Sequence, residues 1–289
     1  MRRQFLMSLV LFAGLAGPAM AAGLEKAWQT DGLASPESVA WDAASGSFYV
    51  SNMGADPTAK DGDGYVSKLG ADGAIAELKW ISGLDAPKGI GIANGKLYTA
   101  DIDHLVEIDM ASGEVVANYA AEGANFLNDV VVAPDGRVFV SDTFGSAVYV
   151  TEGDHLSLWL QDPMLMGANG LTVMDGKLLV AQLGDVSQGF ADIKPGTVVS
   201  VDLATKEVAY FGSPDPAGIL DGIEPDGMGG VTLTDNGGGR LLGMKAGGAA
   251  IEIGALAPGA ADHEFVPDGN LIVVPQTQSN AVVAYVWSR

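Results

Sequence analysis

The stretch NDVVVAPDGRVFVSDT, from Asn128 to Thr143, decides the fold. It reads as two short strands, VVVA and RVFVSD, joined by a Pro-Asp-Gly segment suited to a tight turn. Its head is odd, because Asn and Asp are depleted in strands, yet Asn128 and Asp129 open this one. Five further stretches repeat the pattern. They are ESVAWDAASGSFYVSN from Glu37, KGIGIANGKLYTAD from Lys88, NGLTVMDGKLLVAQ from Asn169, DGIEPDGMGGVTLTD from Asp221 and DHEFVPDGNLIVVPQ from Asp262. Each is a strand, a Gly-containing turn, a second strand and a polar end residue. Third strands such as SAVYVTE, GRLLGMK and NAVVAYV follow in several units.

The heads at 37, 88, 128, 169, 221 and 262 are 51, 40, 41, 52 and 41 residues apart. Four-stranded units of this length mark β-propeller blades, so the spacing predicts an all-β, six-bladed propeller. Blade five offers two heads, in LDGIE and PDGMG. Asn128 stands 14 residues before the polar strand end Asp142, as Asp221 does before Asp235, whereas Asp226 leaves only nine. Asp221 is therefore the head. Only 27 residues follow Asp262, enough for three strands. The segment LEKAWQT near the mature N-terminus is expected to supply the fourth, closing the ring and protecting its sheet edges.

Residues 1–21 read as an export signal: Arg2 and Arg3, an apolar run from Phe5 to Ala16, then Ala19-Met20-Ala21 for cleavage. The run is too short for a membrane span, and the expected address is the periplasm. RRQFL leaves the export route open between the general and twin-arginine systems. Residues 22–289 then form one propeller domain. Loss of two arginines lowers the formal charge from −21 to about −23. That charge repels phosphate backbones and anionic lipid, so neither nucleic acid nor a membrane surface is the expected partner. A small-molecule ligand is, and the oligomeric state is not legible. The chain has no Cys, which excludes disulfides, thiol chemistry and thiolate zinc sites.

First strands of propeller blades line the central channel, so their heads converge at one mouth. The ring would be Glu37, Lys88, Asn128, Asn169, Asp221 and Asp262. Oxygen donors dominate it, and calcium takes six to eight oxygens from carboxylates, amides and water. Glu37 and Asp221 balance a divalent charge, while Asn128 and Asn169 add neutral oxygens. Three His residues in all are too few near the ring for zinc or nonhaem iron. Lys88 either orients an anionic substrate or pairs with Asp262 or Glu37; the pair is favoured, since buried ammonium groups need partners. DGDG at Asp61 lacks the spaced ligands of a calcium loop and reads as turns. Asp101, Asp142 and Asp235 are expected to bond their own turns. Strand alternation should aim His263 away from the channel, and His104 and His155 carry no assigned role.

PESVAW, LNDVVV, ANGLTV and LDGIE resemble the metal-ligand segments of the six-bladed gluconolactonase/regucalcin family, whose wider relatives include paraoxonases and diisopropylfluorophosphatase. The resemblance spans the mature chain through short motifs in joint register. It implies a divalent metal, often calcium, at the channel mouth. Glu37, Asn169 and Asp221 would be direct ligands, and Asn128 a further ligand or a residue binding water and substrate. It also implies hydrolysis of lactones or related esters; on that reading Asp221 and Asn128 are expected to take the catalytic roles and Asn128 to bind substrate, with Lys88 a substrate-binding candidate from its place in the ring alone. Two departures stand out. Phe126 occupies the place of an Arg common in regucalcin-like lactonases, and KGI at Lys88 replaces the paraoxonase-like HGI. The alternative reading is a non-catalytic propeller that binds a small ligand or protein and holds a structural metal.

The two long intervals have a local cause. MGADPTAKDGDG in blade one and LGDVSQGFADIKPG in blade four both lengthen the connection between second and third strands. In a six-membered ring these blades are opposite, so the loops are expected to face each other across the mouth.

Overall fold

The computed structural model describes residues 23–289, and the leader lies outside the described residues. Among the described residues, no helix is long and apolar enough to cross a membrane. The chain folds into six four-stranded antiparallel sheets arranged as a β-propeller. Blades one to five each run outward in chain order. Their inner strands are Pro36–Asp42, Pro87–Ala93, Leu127–Val132, Ala168–Met174 and Leu220–Pro225. Blade six has Glu264–Val266 innermost, then Leu271–Gln276 and Ala281–Ser288, with Gly23–Asp31 outermost. Gly23 pairs with Ser288 and Asp31 with Ala281, so both ends of the described chain share one sheet. Inner strands touch in cyclic order, blade six returning to blade one.

Each sheet buries both faces between its neighbours, which explains the near-continuous apolar second strands, such as Val138–Asp142, buried at every position. The space between blades three and four is typical. Phe139 and Trp159 meet edge to face at 4.9 Å and pack with Val148, Leu171, Leu178 and Val199. Burying aromatic rings of this size contributes about 2–3 kcal/mol each.

The oddity at the strand heads has a backbone cause. Leu127 pairs with Asp142 but Val130 pairs with Val140, so the first strand carries one extra residue at Asn128-Asp129. The same shift lies between Pro36 and Val39, Pro87 and Ile90, Ala168 and Leu171, and Leu220 and Ile223. A β-bulge frees side chains from strict alternation and re-aims them. Polar heads are thus tolerated because they stand in bulges, not in regular ladder.

Blade six corrects the predicted ring. Ala260 bridges to Gln276 and Glu264 pairs with Val273. Ala260 therefore matches Leu127, Ala261 matches Asn128, and Asp262 matches Asp129. Asp262 stands one position deeper than the heads, and Ala261 takes its place. The cause is a bulge one residue earlier than the apolar pattern suggests, because His263 fills a position held by Val39, Ile90, Val130, Leu171 and Ile223 elsewhere.

Candidate functional site

Glu37, Lys88, Asn128, Asn169 and Asp221 converge on one cavity of about 340 Å³ at the channel mouth. All five side chains are buried. Three of the heads are stapled from behind by the acid ending the second strand of their blade. Asp101 accepts from the Asp85 and Ala86 amides ahead of Lys88. Asp142 accepts from Asn125 and Phe126 ahead of Asn128, and Asp235 accepts from Ile219 ahead of Asp221. These acids were expected to bond their own turns. Asp142 and Asp235 do that too, through Gly145 and Gly238, but their larger effect is to hold the heads.

Two oxygens at the site have no hydrogen-bond partner among the described residues: Glu37 Oε2 and Asn128 Oδ1. An unsatisfied buried acceptor costs about 1–3 kcal/mol, and a charged one costs more. The Asn128 amide is oriented by its other end, because Nδ2 donates to Thr143 Oγ1 at 3.0 Å, and that hydroxyl donates to Ala168 O. Asp221 accepts from Asn236 Nδ2 at 2.8 Å and from Asn169 Nδ2 at 3.3 Å. With Nδ2 so engaged, the other end of Asn169 that is left is an acceptor. The set therefore presents two carboxylates and two amide oxygens, which is hard-cation chemistry. Among the described residues, no group of three or more His, Cys or acidic side chains is placed to hold a metal. Any cation here would depend on the amides as much as on the acids.

Electrostatics point the same way. Burial, then Asp221 and Asp129, push the Glu37 carboxyl well above its usual range, against a smaller pull from Lys88. Burial raises Asp221 to about 7, although Asn236 and Asn169 favour its ionised form. Both acids thus resist ionisation unless positive charge arrives.

Lys88 does not form the ion pair expected of it; among the described residues, its ammonium has no carboxylate within 4.0 Å. Nζ donates to Ala86 O at 2.9 Å and lies 4.3 Å from the centre of the Phe126 ring. Burial lowers its pKa to about 8, against the pull of Glu37 and Asp101. Phe126, noted from sequence only as a departure, is the face on which this charge rests.

A second row lies below the heads; the sequence reading put its Asp262 among the heads and gave its Asp129 no role. It consists of Ser38, Gly89, Asp129, Gly170, Gly222 and Asp262. Asp129 accepts from Val130 N at 2.7 Å and from Leu171 N in the next blade at 2.6 Å. Asp262 accepts from Ser38 Oγ at 2.6 Å. A Cβ on Gly89 would lie 2.3 Å from Asp129 Oδ1, and one on Gly222 2.5 Å from Asp262 Oδ1. Each acid thus occupies room left by a glycine in the preceding blade, which was the available signal. Deeper still, Glu224 and Glu264 share a level in adjacent blades. Burial raises all four, Asp129 and Glu264 to about 7. His263 is buried against blade five, its Nε2 2.8 Å from Thr232 Oγ1, and burial lowers it to about 3. His104 and His155 stay outside the site, beside Asp103 and Asp154.

Both long loops reach the cavity. Met53 and Pro57 come from blade one, and Leu183, Phe190 and Ile193 from blade four.

No protein-family model matches the sequence, nor does any curated protein sequence. Solved structures do match in fold. A gluconolactonase from Xanthomonas campestris, described as important in glucose secondary metabolic pathways, aligns with TM-score 0.67 at 18% identity over 96% of this chain and 94% of its own. A candidate gluconolactonase from a structural-genomics consortium gives 0.67 at 19%, over 93% of each chain. A streptogramin B lyase gives 0.63 at 13%, over 94% of this chain and 100% of its own. The shared architecture is the propeller. Lactonase and lyase both occur on it, so the reaction must be argued from the site.

Proposed function

We propose that the protein is a periplasmic, divalent-cation-dependent hydrolase of a lactone or related ester, with calcium as the expected ion. The observation that carries this reading is the pair of unpartnered oxygens, Glu37 Oε2 and Asn128 Oδ1, facing one cavity with Asp221 and Asn169. Glu37, Asn128, Asn169 and Asp221 would hold the ion. When bound, it supplies a Lewis acid that polarises a carbonyl and stabilises negative charge.

The chain's own groups do the rest. Asp221, a carboxylate at the cavity held in place by two amides, is the group to take a proton from attacking water. Asn236 and Asn169 fix its orientation. Asn128, anchored on Thr143, positions water or the substrate carbonyl. Lys88 adds positive charge at the edge of the cavity and orients the substrate oxygens. The two loops supply walls to the mouth through Met53, Pro57, Leu183, Phe190 and Ile193. Support for a lactone over other acyl compounds comes from the gluconolactonase that shares this fold.

The test is turnover of a lactone and ester panel by protein stripped of metal, then resupplied with calcium. Activity should vanish on stripping and return with calcium. Activity that persists in verified metal-free protein overturns the mechanism. Calcium binding without turnover of any panel member favours the ligand-binding propeller instead.

A further inference from the structure

We infer, building on the hydrolase reading, that the substrate carries a compact apolar group beside its carbonyl and is not a polyhydroxylated sugar lactone. The cavity has two chemically distinct halves. Its floor is the polar ring described above. Its wall on the side of blades three to five is Phe126, Leu183, Phe190, Ile193 and Ile219, none of which has a side-chain hydrogen-bonding atom.

The aromatic part of this wall is built, not incidental. Phe126, Phe144 and Phe190 form a closed triangle, with ring centres 5.4, 5.6 and 4.9 Å apart. Phe126 and Phe190 line the cavity, and Phe144 completes the triangle without lining it; Phe126 is buried, yet Phe190 stays 46% and Phe144 38% exposed. Large apolar side chains left in water above a concave, polar-floored site mark a surface that a ligand covers. The triangle also links the blade-four loop to blade three, because Phe190 belongs to the loop and Phe126 and Phe144 do not.

A sugar lactone would set several hydroxyls against this wall. Each hydroxyl would give up water without gaining a partner, at about 1–3 kcal/mol. The polar side chains at the rim are Asn236, next to Ile219 in blade five, and Thr277 and Gln278 in blade six. Thr277 already donates to Pro36 O, and Asn236 to Asp221. A phenyl or short branched alkyl substituent fits the wall, and the cavity is near the lower end of small-molecule sites, which favours a compact one.

Non-hydrolysable lactams separate this inference from the catalytic proposal. Binding of δ-valerolactam, a phenyl-substituted δ-valerolactam and gluconolactam to calcium-loaded protein would be measured by calorimetry. The phenyl compound should bind at least about tenfold tighter than gluconolactam. Phe190→Ser, and separately Ile193→Asn, should erase most of that preference; both side chains lie in the exposed loop, so either variant can report if the other misfolds. Equal affinities, tighter gluconolactam binding, or binding of neither overturns the inference. Turnover of the matching phenyl lactone is assayed in parallel. Its absence, alongside the expected lactam preference, sinks the hydrolase reading and leaves the apolar subsite standing.

Discussion

Replacing Asp221 with Asn tests whether the site is held in a costly state that a cation relieves. Burial raises the Asp221 carboxyl from 3.8 to about 7, a penalty of about 4 kcal/mol on the ionised form at pH 8. Asp221→Asn removes that penalty. It also sets an NH2 group against one of the two amides, Asn169 or Asn236, that now donate to the carboxylate, losing about 1–2 kcal/mol. The metal-free variant should therefore be about 2 kcal/mol more stable than the parent at pH 8, or about 5 °C in Tm for a domain of this size. At pH 5 the parent's Asp221 is protonated and the advantage should vanish. Calcium at a hundred times its Kd should then raise the parent by about 2.7 kcal/mol and the variant by little. Circular-dichroism melts in chelator and in millimolar calcium, at both pH values, check this. A variant that melts lower than the parent in chelator at pH 8, or that keeps the full calcium shift, refutes the reasoning.

The metal-free protein should lose stability as pH rises from about 5 to 8. Asp129, Asp221 and Glu264 are raised to about 7, and Glu37, Glu224 and Asp262 are raised as well. The folded state thus retains protons that the unfolded chain has released, at about 1.4 kcal/mol per pH unit for each. His263, lowered to about 3, has the opposite sign, but its gain is complete by about pH 6.5; a flat or rising urea-unfolding profile above that pH contradicts the acid cluster. Asn128→Ala removes an unpartnered oxygen and should weaken calcium binding at least about tenfold by calorimetry, whereas unchanged affinity removes Asn128 from the ligand set. Gly89→Ala drives a Cβ to 2.4 Å from Asp129 Cα and 2.7 Å from Val130 N, so backbone must shift; a loss of about 1–3 kcal/mol is expected in chemical denaturation, and an unchanged midpoint would show that the inner strands have slack.

The repeat was legible because a propeller writes the same strand, turn and strand six times, and five of the six heads were placed by aligning Glu37, Lys88, Asn128, Asn169 and Asp221. The sixth failed for a local reason. Ala261 is silent as a functional signal, while Asp262 imitates a head and His263 hides the apolar position that sets the register elsewhere. The pairing of Lys88 was misjudged because sequence offers carboxylates as partners but cannot show a carbonyl at 2.9 Å and a phenyl face at 4.3 Å. Opposed loops followed from interval lengths. The apolar wall did not, since Phe126 and Phe144 of blade three meet Phe190 of the blade-four loop, up to 64 positions away. Asp129 was in plain view, but its role rests on Gly89 in another blade.

Blade six is the one sheet that cannot be assembled from successive strands. Its outer strand, Gly23–Asp31, waits for Ala281–Ser288, so the circle acts as a bracelet whose clasp is made from the first and last links. Five blades can form as their strands become available, but the clasp fastens across some 250 positions, and loop-closure entropy makes that a late event. A truncation of even the final eight residues would therefore do more than shorten one blade. It would strip the middle strand between Leu271–Gln276 and Gly23–Asp31, leave two sheet edges bare, and let the mouth that gathers Glu37 and Asp221 spread open.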